Sequence, residues 1–249
     1  LKISIITVVF NASETIATSV ASLRDQNYPH IEHIIIDGAS TDGTLDILKK
    51  SISESAILIS ESDGGIYDAL NKGLKMSSGE VIGFLHADDI FAGHNVLSDV
   101  AAAFLDSSVE GVYGDLVYVD RLKVQKVIRR WRSTSFSRDL LGAGWMPPHP
   151  TLFVRRKWYE QIGGFNDEYR IAADYLSILK LFSIPEFKTV YLNKVLVRMR
   201  MGGASNHSLA IIFKKSCEDW AALRSVGFCR FDALKALLLK NFSKIFQFL

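Results

Sequence analysis

Along the first ninety positions, apolar residues recur in two alternating rhythms. Positions 3–10 form a continuous β-branched run, and within 14–25 Ile16, Val20 and Leu23 return at helical spacing, which predicts strand, loop, helix. A second apolar run at 31–36 stops at Asp37-Gly38, and 44–51 then carries Leu45 and Leu48 three apart. The unit repeats with a strand over 56–60, a helix over 66–76 and a strand over 81–85 that ends at His86-Ala87-Asp88-Asp89. Strands alternating with helices predict an α/β fold, Rossmann-like, with a mostly parallel central sheet and helices on both faces. Ligands of such sheets sit beyond the carboxyl ends of the strands.

The rhythm changes near residue 110. Positions 112–118 and 124–131 read as antiparallel strands, and 142–150 is a Gly- and Pro-rich loop. A short strand over 151–154 follows, then a helix over 156–162 closed by Gly163-Gly164, and an amphipathic helix over 174–182. Residues 207–249 read as a helical tail on one compact unit. In its last helix Leu234, Leu238, Phe242, Ile245 and Leu249 recur at three- and four-residue steps, with Lys240 and Lys244 opposite and Lys235 at the stripe's edge. Two readings stand for 233–249: an interfacial helix on anionic lipid, or packing against the catalytic body or a second subunit.

Composition narrows the class. With 48% hydrophobic and 22% charged residues the chain can bury a large core. Its 29 basic and 27 acidic residues leave +2, without the broad excess of a dedicated nucleic-acid binder. Cys217 and Cys229, with eleven residues between them, suggest neither a disulfide framework nor a zinc site, and are expected as inert buried thiols. The sequence opens directly into a strand without a leader and has no apolar stretch of about 18 residues, so a soluble, reducing, cytoplasmic setting is expected. The absence of an initiator Met leaves a removed leader open.

Four constellations carry candidate chemistry. Asp37-Gly38-Ala39-Ser40-Thr41-Asp42-Gly43 closes a strand where a carboxylate can meet a base or ribose; the alternative, and the commoner use of such spacing, is an ordinary turn with Asp42 or Ser40 capping a helix. The run from Glu61 to Gly73 opens a helix bearing Lys72, suited to a diphosphate, or simply capped by Asp63 with Lys72 in solvent. In His86-Ala87-Asp88-Asp89, adjacent carboxylates repel and call for Mg²⁺ or Mn²⁺, the alternative being a solvated turn. Asp174 is a lone acid at the start of an apolar helix, either functional or an N-cap.

In order, "SIITVVFN", "IIIDGASTDGT", "SESDGGIYDALNKG", "GFLHADD", "HPTLFVRR", "GGFNDEY", "IAADY" and "MRMGGASNH" resemble the family-2 glycosyltransferases of the GT-A fold over roughly residues 3–205. The resemblance is to the non-processive enzymes of bacterial capsule, exopolysaccharide and O-antigen synthesis. It implies a nucleotide-sugar-binding half at 1–110, an acceptor-binding half at 111–206 and the tail at 207–249. It also implies that Val9, Asn11, Glu14, Asp37 and Asp63 surround the nucleotide, with Lys72, His86 and Asp88 near the donor. By the same resemblance Asp88 and Asp89 hold a divalent metal, Mn²⁺ or Mg²⁺, and Asp174 is the catalytic base of a single inverting displacement. His149, Gly202, Gly203 and Ser205 match loops near acceptor or donor, with a structural histidine and a plain connection as the alternatives. The implied partners are a nucleotide-sugar donor, UDP-linked as first expectation, and a saccharide or lipid-linked saccharide acceptor at the inner face of the membrane. Nucleic acid is not among them, and a homo-oligomer is left open.

Two positions depart from the family pattern. His86 stands where Asp or Asn is usual, and Ala173 where Glu is frequent before the base. The Gln-any-any-Arg-Trp signature of processive synthases is absent, which implies one sugar per encounter. A nucleotide-binding oxidoreductase would need Gly-any-Gly-any-any-Gly after the first strand, and Val8-Val9-Phe10-Asn11-Ala12-Ser13 has none. A non-catalytic subunit retaining the fold is the other alternative.

Overall fold

The computed structural model describes residues 1–202 and 209–243. Its first half is built from β1 (Ile3–Val9), α1 (Ile16–Arg24), β2 (Ile31–Asp37), α2 (Thr44–Ser51), β3 (Ile57–Ser60), α3 (Ile66–Met76) and β4 (Val81–Phe84). These four strands are parallel, with Ile3 to Val9 registered on Ile31 to Asp37, and Ile3 to Ile6 on Val81 to Phe84. Every residue of β1 is buried, as expected of a parallel strand covered on both faces. Its period-two alternation sends Ile6 and Val8 into one core layer and Ile3 and Ile5 into the other. On the first face α3 lies so close that a Cβ at Gly73 would fall 2.4 Å from Ile6 Cγ2.

The second half comprises β5 (Asp89–Phe91), α4 (Val96–Ala103), β6 (Gly111–Val119), β7 (Val127–Trp131), α5 (Asp139–Gly142), a 3-10 turn (His149–Thr151), β8 (Phe153–Arg155), α6 (Arg156–Ile162), α7 (Ala173–Ser183), β9 (Thr189–Arg200), α8 (Leu209–Ser225) and α9 (Arg230–Ser243). All the strands join one sheet in the order β3-β2-β1-β4-β8-β6-β9-β5, with β7 on β6. As expected, β6 is antiparallel to β7; it is also antiparallel to β8 but parallel to the unanticipated β9. The polar pair Asn193-Lys194 and the register shifts around Asp115 break β9's alternation, which hides it from pattern reading. β5 is too short to carry a period.

The C-terminal helices correct three expectations. α9 packs on α5 and α8 through Ala233, Ala236 and Lys240, and leaves Phe231, Leu234, Leu238 and Phe242 exposed. Lys240 therefore faces the core: it is 6% exposed, pairs with Asp219 at 2.9 Å, and burial pushes its ammonium down to about 8 against the pull of that acid. Cys217 and Cys229 are free and exposed, not buried. Cys217 precedes the buried Asp219 by two positions, about 200° around the helix, and so points outward. Cys229 opens α9, where its carbonyl accepts from Ala233 N and its thiol meets Asp232. Ile245, Leu249 and Lys244 lie outside the described residues. Among the described residues no helix is long and apolar enough to cross a membrane.

Candidate active site

Because β1, β2, β3 and β4 run in parallel and in register, the loops after Val9, Asp37, Ser60 and Phe84 open on one edge of the sheet. The first two are stitched together by side chains. Asn11, held at φ 48, donates its N–H to Ser40 Oγ at 2.8 Å and accepts from Thr41 N at 2.9 Å. Asp42 accepts from Ser13 N and Thr44, which hold its carboxyl far below the usual carboxylate range. Asp37, fully buried, accepts from Ser40 N at 3.1 Å and Ser60 Oγ at 2.6 Å, so its carboxylate organises the two loops from below.

Val9 ends β1 with its side chain turned into the core. It is buried with Ile16 and Val20, and contributes its carbonyl, which accepts from Gly38 N at 2.9 Å. The surface above it belongs to Phe10, 65% exposed and not singled out from the sequence. A Cβ at Gly38 would lie 2.7 Å from Asp63 Oδ2 and 3.4 Å from Phe10 Cδ2, so only glycine lets these two side chains flank that spot. Glu14 is exposed and paired with Arg121 at 3.0 Å. Lys72 is held by Glu61 at 2.8 Å and Asp68 at 3.5 Å, and Asp68 also takes Gly64 N at 2.9 Å. These contacts tie the Lys72 ammonium to the loop that opens α3.

Across the edge lie two histidines and the lone acid. His149, on the 3-10 turn, stacks on Phe84 at 5.2 Å and on His86 at 6.1 Å. Burial pushes His149 down to about 4 and also lowers His86, so both imidazoles are neutral at pH 7. Both lie within electrostatic reach of Asp174, and His86 also within that of Asp88. His86 Nδ1 and His149 Nε2 are buried without a hydrogen-bond partner. Asp174 sits in the first turn of α7, whose N-cap is Ala172, so it is not the N-cap. Its Oδ1 accepts from Tyr175 N at 2.8 Å and Tyr67 OH at 3.3 Å, while Tyr67 OH also donates to Ile171 O at 2.7 Å.

The paired carboxylates of the sequence part company in the structure. Asp88 is half-buried in the loop after β4, whose backbone is pinned by Arg200: Nη1 donates to Asp88 O at 2.8 Å and Nη2 to Thr18 Oγ1 at 2.8 Å. Asp89 begins β5, is 1% exposed, and both its oxygens lack partners. Burial, then the Asp88 charge, raises its carboxyl well above the usual range, against the pull of Arg200. The two aspartates expected to share a metal thus differ in exposure, Asp88 being half-buried and Asp89 sealed. Among the described residues no three His, Cys, Asp or Glu groups gather to hold a metal by themselves. The Asp88 carboxylate and the orphaned His86 nitrogen do fit a divalent cation that takes its remaining ligands from a diphosphate. Gly202 has φ 101; Gly203 and Ser205 lie outside the described residues.

With the site's geometry in place, the comparisons with known proteins agree on a class. The family model for glycosyl transferase family 2 matches residues 4–165. A "PGL/p-HBAD biosynthesis glycosyltransferase" of Mycobacterium bovis is 33% identical over 207 residues, 82% of this chain and 78% of that protein. Among solved structures, S. aureus TarS with UDP-GlcNAc superposes with TM-score 0.71 at 19% identity, covering 98% of this chain and 73% of that one. The mannosyltransferase PcManGT of Pyrobaculum calidifontis, solved with GDP-Man and Mn²⁺, gives 0.68 at 17% identity over 99% and 72%. The chain belongs to glycosyl transferase family 2 and has the GT-A fold of a nucleotide-sugar-dependent enzyme.

Proposed function

We propose that this glycosyltransferase moves one sugar from a nucleotide-sugar donor, UDP-linked as first candidate, to a hydroxyl of a saccharide acceptor with inversion. The carrying observation is the Asp174 carboxylate in the first turn of α7, hydrogen-bonded by Tyr67 and within electrostatic reach of His86 and His149, near the edge where the β1, β2 and β4 loops open. Phe10 and Asp63 flank Gly38 in a slot that suits a flat base, with residues 1–110 serving the donor and 111–206 the acceptor. Asp174 accepts the acceptor hydroxyl's proton as that oxygen bonds to the anomeric carbon, and the bond to the diphosphate oxygen breaks on the opposite face. Inversion follows from the single displacement. A divalent cation, when bound, supplies positive charge to the departing diphosphate, and Asp88 with His86 would hold it. The Mn²⁺ and GDP-Man of PcManGT and the UDP-GlcNAc of TarS support a nucleotide sugar with a metal.

Asp174→Asn should cut transfer to a small residual rate while leaving UDP-sugar binding intact. Wild-type transfer by that variant would remove Asp174 from the role. A lipid-linked acceptor at the cytoplasmic face of a membrane is supported by the exposed apolar side of α9 and by two free thiols, which suit a reducing compartment.

A further inference from the structure

The segment before the proposed base is held by a residue more than forty positions further along the chain. Residues 170–172 lead into α7 with three successive backbone N–H groups, and the carboxylate of Glu218 on α8 takes all three. Oε1 accepts from Arg170 N at 3.1 Å, and Oε2 accepts from Ile171 N at 2.8 Å and Ala172 N at 2.9 Å. Arg170 in turn donates from Nη1 to Gly64 O at 2.7 Å, so the clamped segment also grips the loop that carries Asp63.

The next residue of α8 fixes the other side. Asp219, 1% exposed, pairs with Lys240 of α9 at 2.9 Å, and Lys240 Nζ sits 3.1 Å from the centroid of the buried Tyr175 ring. Tyr175 N is the group that donates to Asp174 Oδ1. Glu218 and Asp219 project about 100° apart on one helix, so one acid holds the chain on the N-terminal side of Asp174 and the other, through Lys240, holds the ring on its C-terminal side. Charge-assisted hydrogen bonds to an ionised acceptor are about twice as strong as neutral ones. A base must be held within a fraction of an ångström, since a 1 Å misplacement costs about 100-fold in rate.

We propose that Glu218, seconded by the Asp219–Lys240 pair, is a positioning residue that sets the Asp174 carboxylate for proton abstraction, making α8 and α9 part of the catalytic apparatus. The inference rests on Asp174 being the base, and the test separates the two. Glu218→Gln keeps size but removes the charge and puts an NH₂ in place of one accepting oxygen, against one or two of the three N–H donors. It should lower kcat roughly 10- to 100-fold, with donor KM and UDP-sugar affinity within about twofold. Glu218→Gln added to Asp174→Asn should cost nothing further, because the residue acts through the base. Wild-type kcat in folded Glu218→Gln overturns the proposal, as does an additive loss in the double variant. Asp174→Asn transferring at the wild-type rate sinks the base assignment, whatever Glu218→Gln does. Hydrogen exchange on the wild-type protein needs no variant: amides 170–172 should be protected, and their exchange at the rate of free loop amides would overturn the clamp.

Discussion

Asp88 and Asp89 are neighbours in sequence with opposite surroundings, and the difference decides what each can do. Asp88 stays half-open after β4, whereas Asp89 is sealed in β5. A carboxyl shut off from solvent has little access to a bound cation, and asparagine nearly matches its shape, so Asp89→Asn should keep the Mn²⁺-dependent rise in melting temperature that a UDP-sugar produces. Asp88→Asn should lose that rise and lower transfer by roughly 100-fold or more. A thermal-shift titration with and without Mn²⁺ reads both, and equal behaviour of the two variants would refute the distinction. A sequence lists carboxylates but not which side of a strand they enter, so both acids were legible and their unequal burial was not. Asp174 is the reverse case. Its motif marks it, and the structure adds its company: Tyr67, His149 and His86. Phe10 and Arg200 escaped notice because their importance comes from what approaches them, Gly38 and Asp63 in one case and the Asp88 backbone in the other.

At the scale of elements, legibility followed periodicity. β1 to β4 and α1 to α3 were readable because parallel strands buried on both faces are continuous apolar runs and the helices between them show a 3.6-residue period. β5, α4 and β9 were not, since β5 is three residues long and β9 breaks its alternation at Asn193-Lys194. What ties the parallel strands at their amino ends is also local chemistry. Glu32 on β2 accepts from Lys2 Nζ at 2.6 Å, from Ser4 Oγ on β1, and from Ser78 N at 2.8 Å in the turn before β4. Burial alone would raise this carboxyl, but those hydrogen bonds outweigh it and hold it down at about 2, against an ordinary 4.5. The folded value lies below the unfolded one, so the contribution is complete above pH 4.5 and is lost as pH falls toward 2. Glu32→Gln should therefore cost about 1–3 kcal/mol at pH 7 and flatten the loss of stability across that acid window. Urea midpoints measured from pH 7 to pH 2 give both numbers, and parallel curves for the two proteins would show that Glu32 carries no such load.

Taken whole, the molecule has one exposed surface that is oddly apolar, the outer face of α9, while the inner face of that helix meets the elements behind the candidate site. That inner face, Ala233, Ala236 and Lys240, is closed against α5, α8 and the Tyr175 ring, so removing the helix would strip the support from α7 along with any surface function. Truncation cannot separate those effects; substitution on the outer face can. Phe231, Leu234, Leu238 and Phe242 recur at three- and four-residue steps on the side opposite Lys240, with Arg230 and Lys235 close by, a combination suited to the headgroup boundary of an anionic bilayer. A second copy of the chain would bury the same stripe without regard to lipid charge. The triple variant Leu234→Ser, Leu238→Ser, Phe242→Ser should keep its melting temperature and its transfer to a soluble acceptor. It should also stop pelleting with vesicles rich in anionic lipid, while the wild-type protein pellets with those and much less with neutral ones. Equal pelleting of the two proteins, or a wild-type dimer in solution that the triple variant breaks, would assign the stripe to protein and leave the acceptor's lipid unsupported.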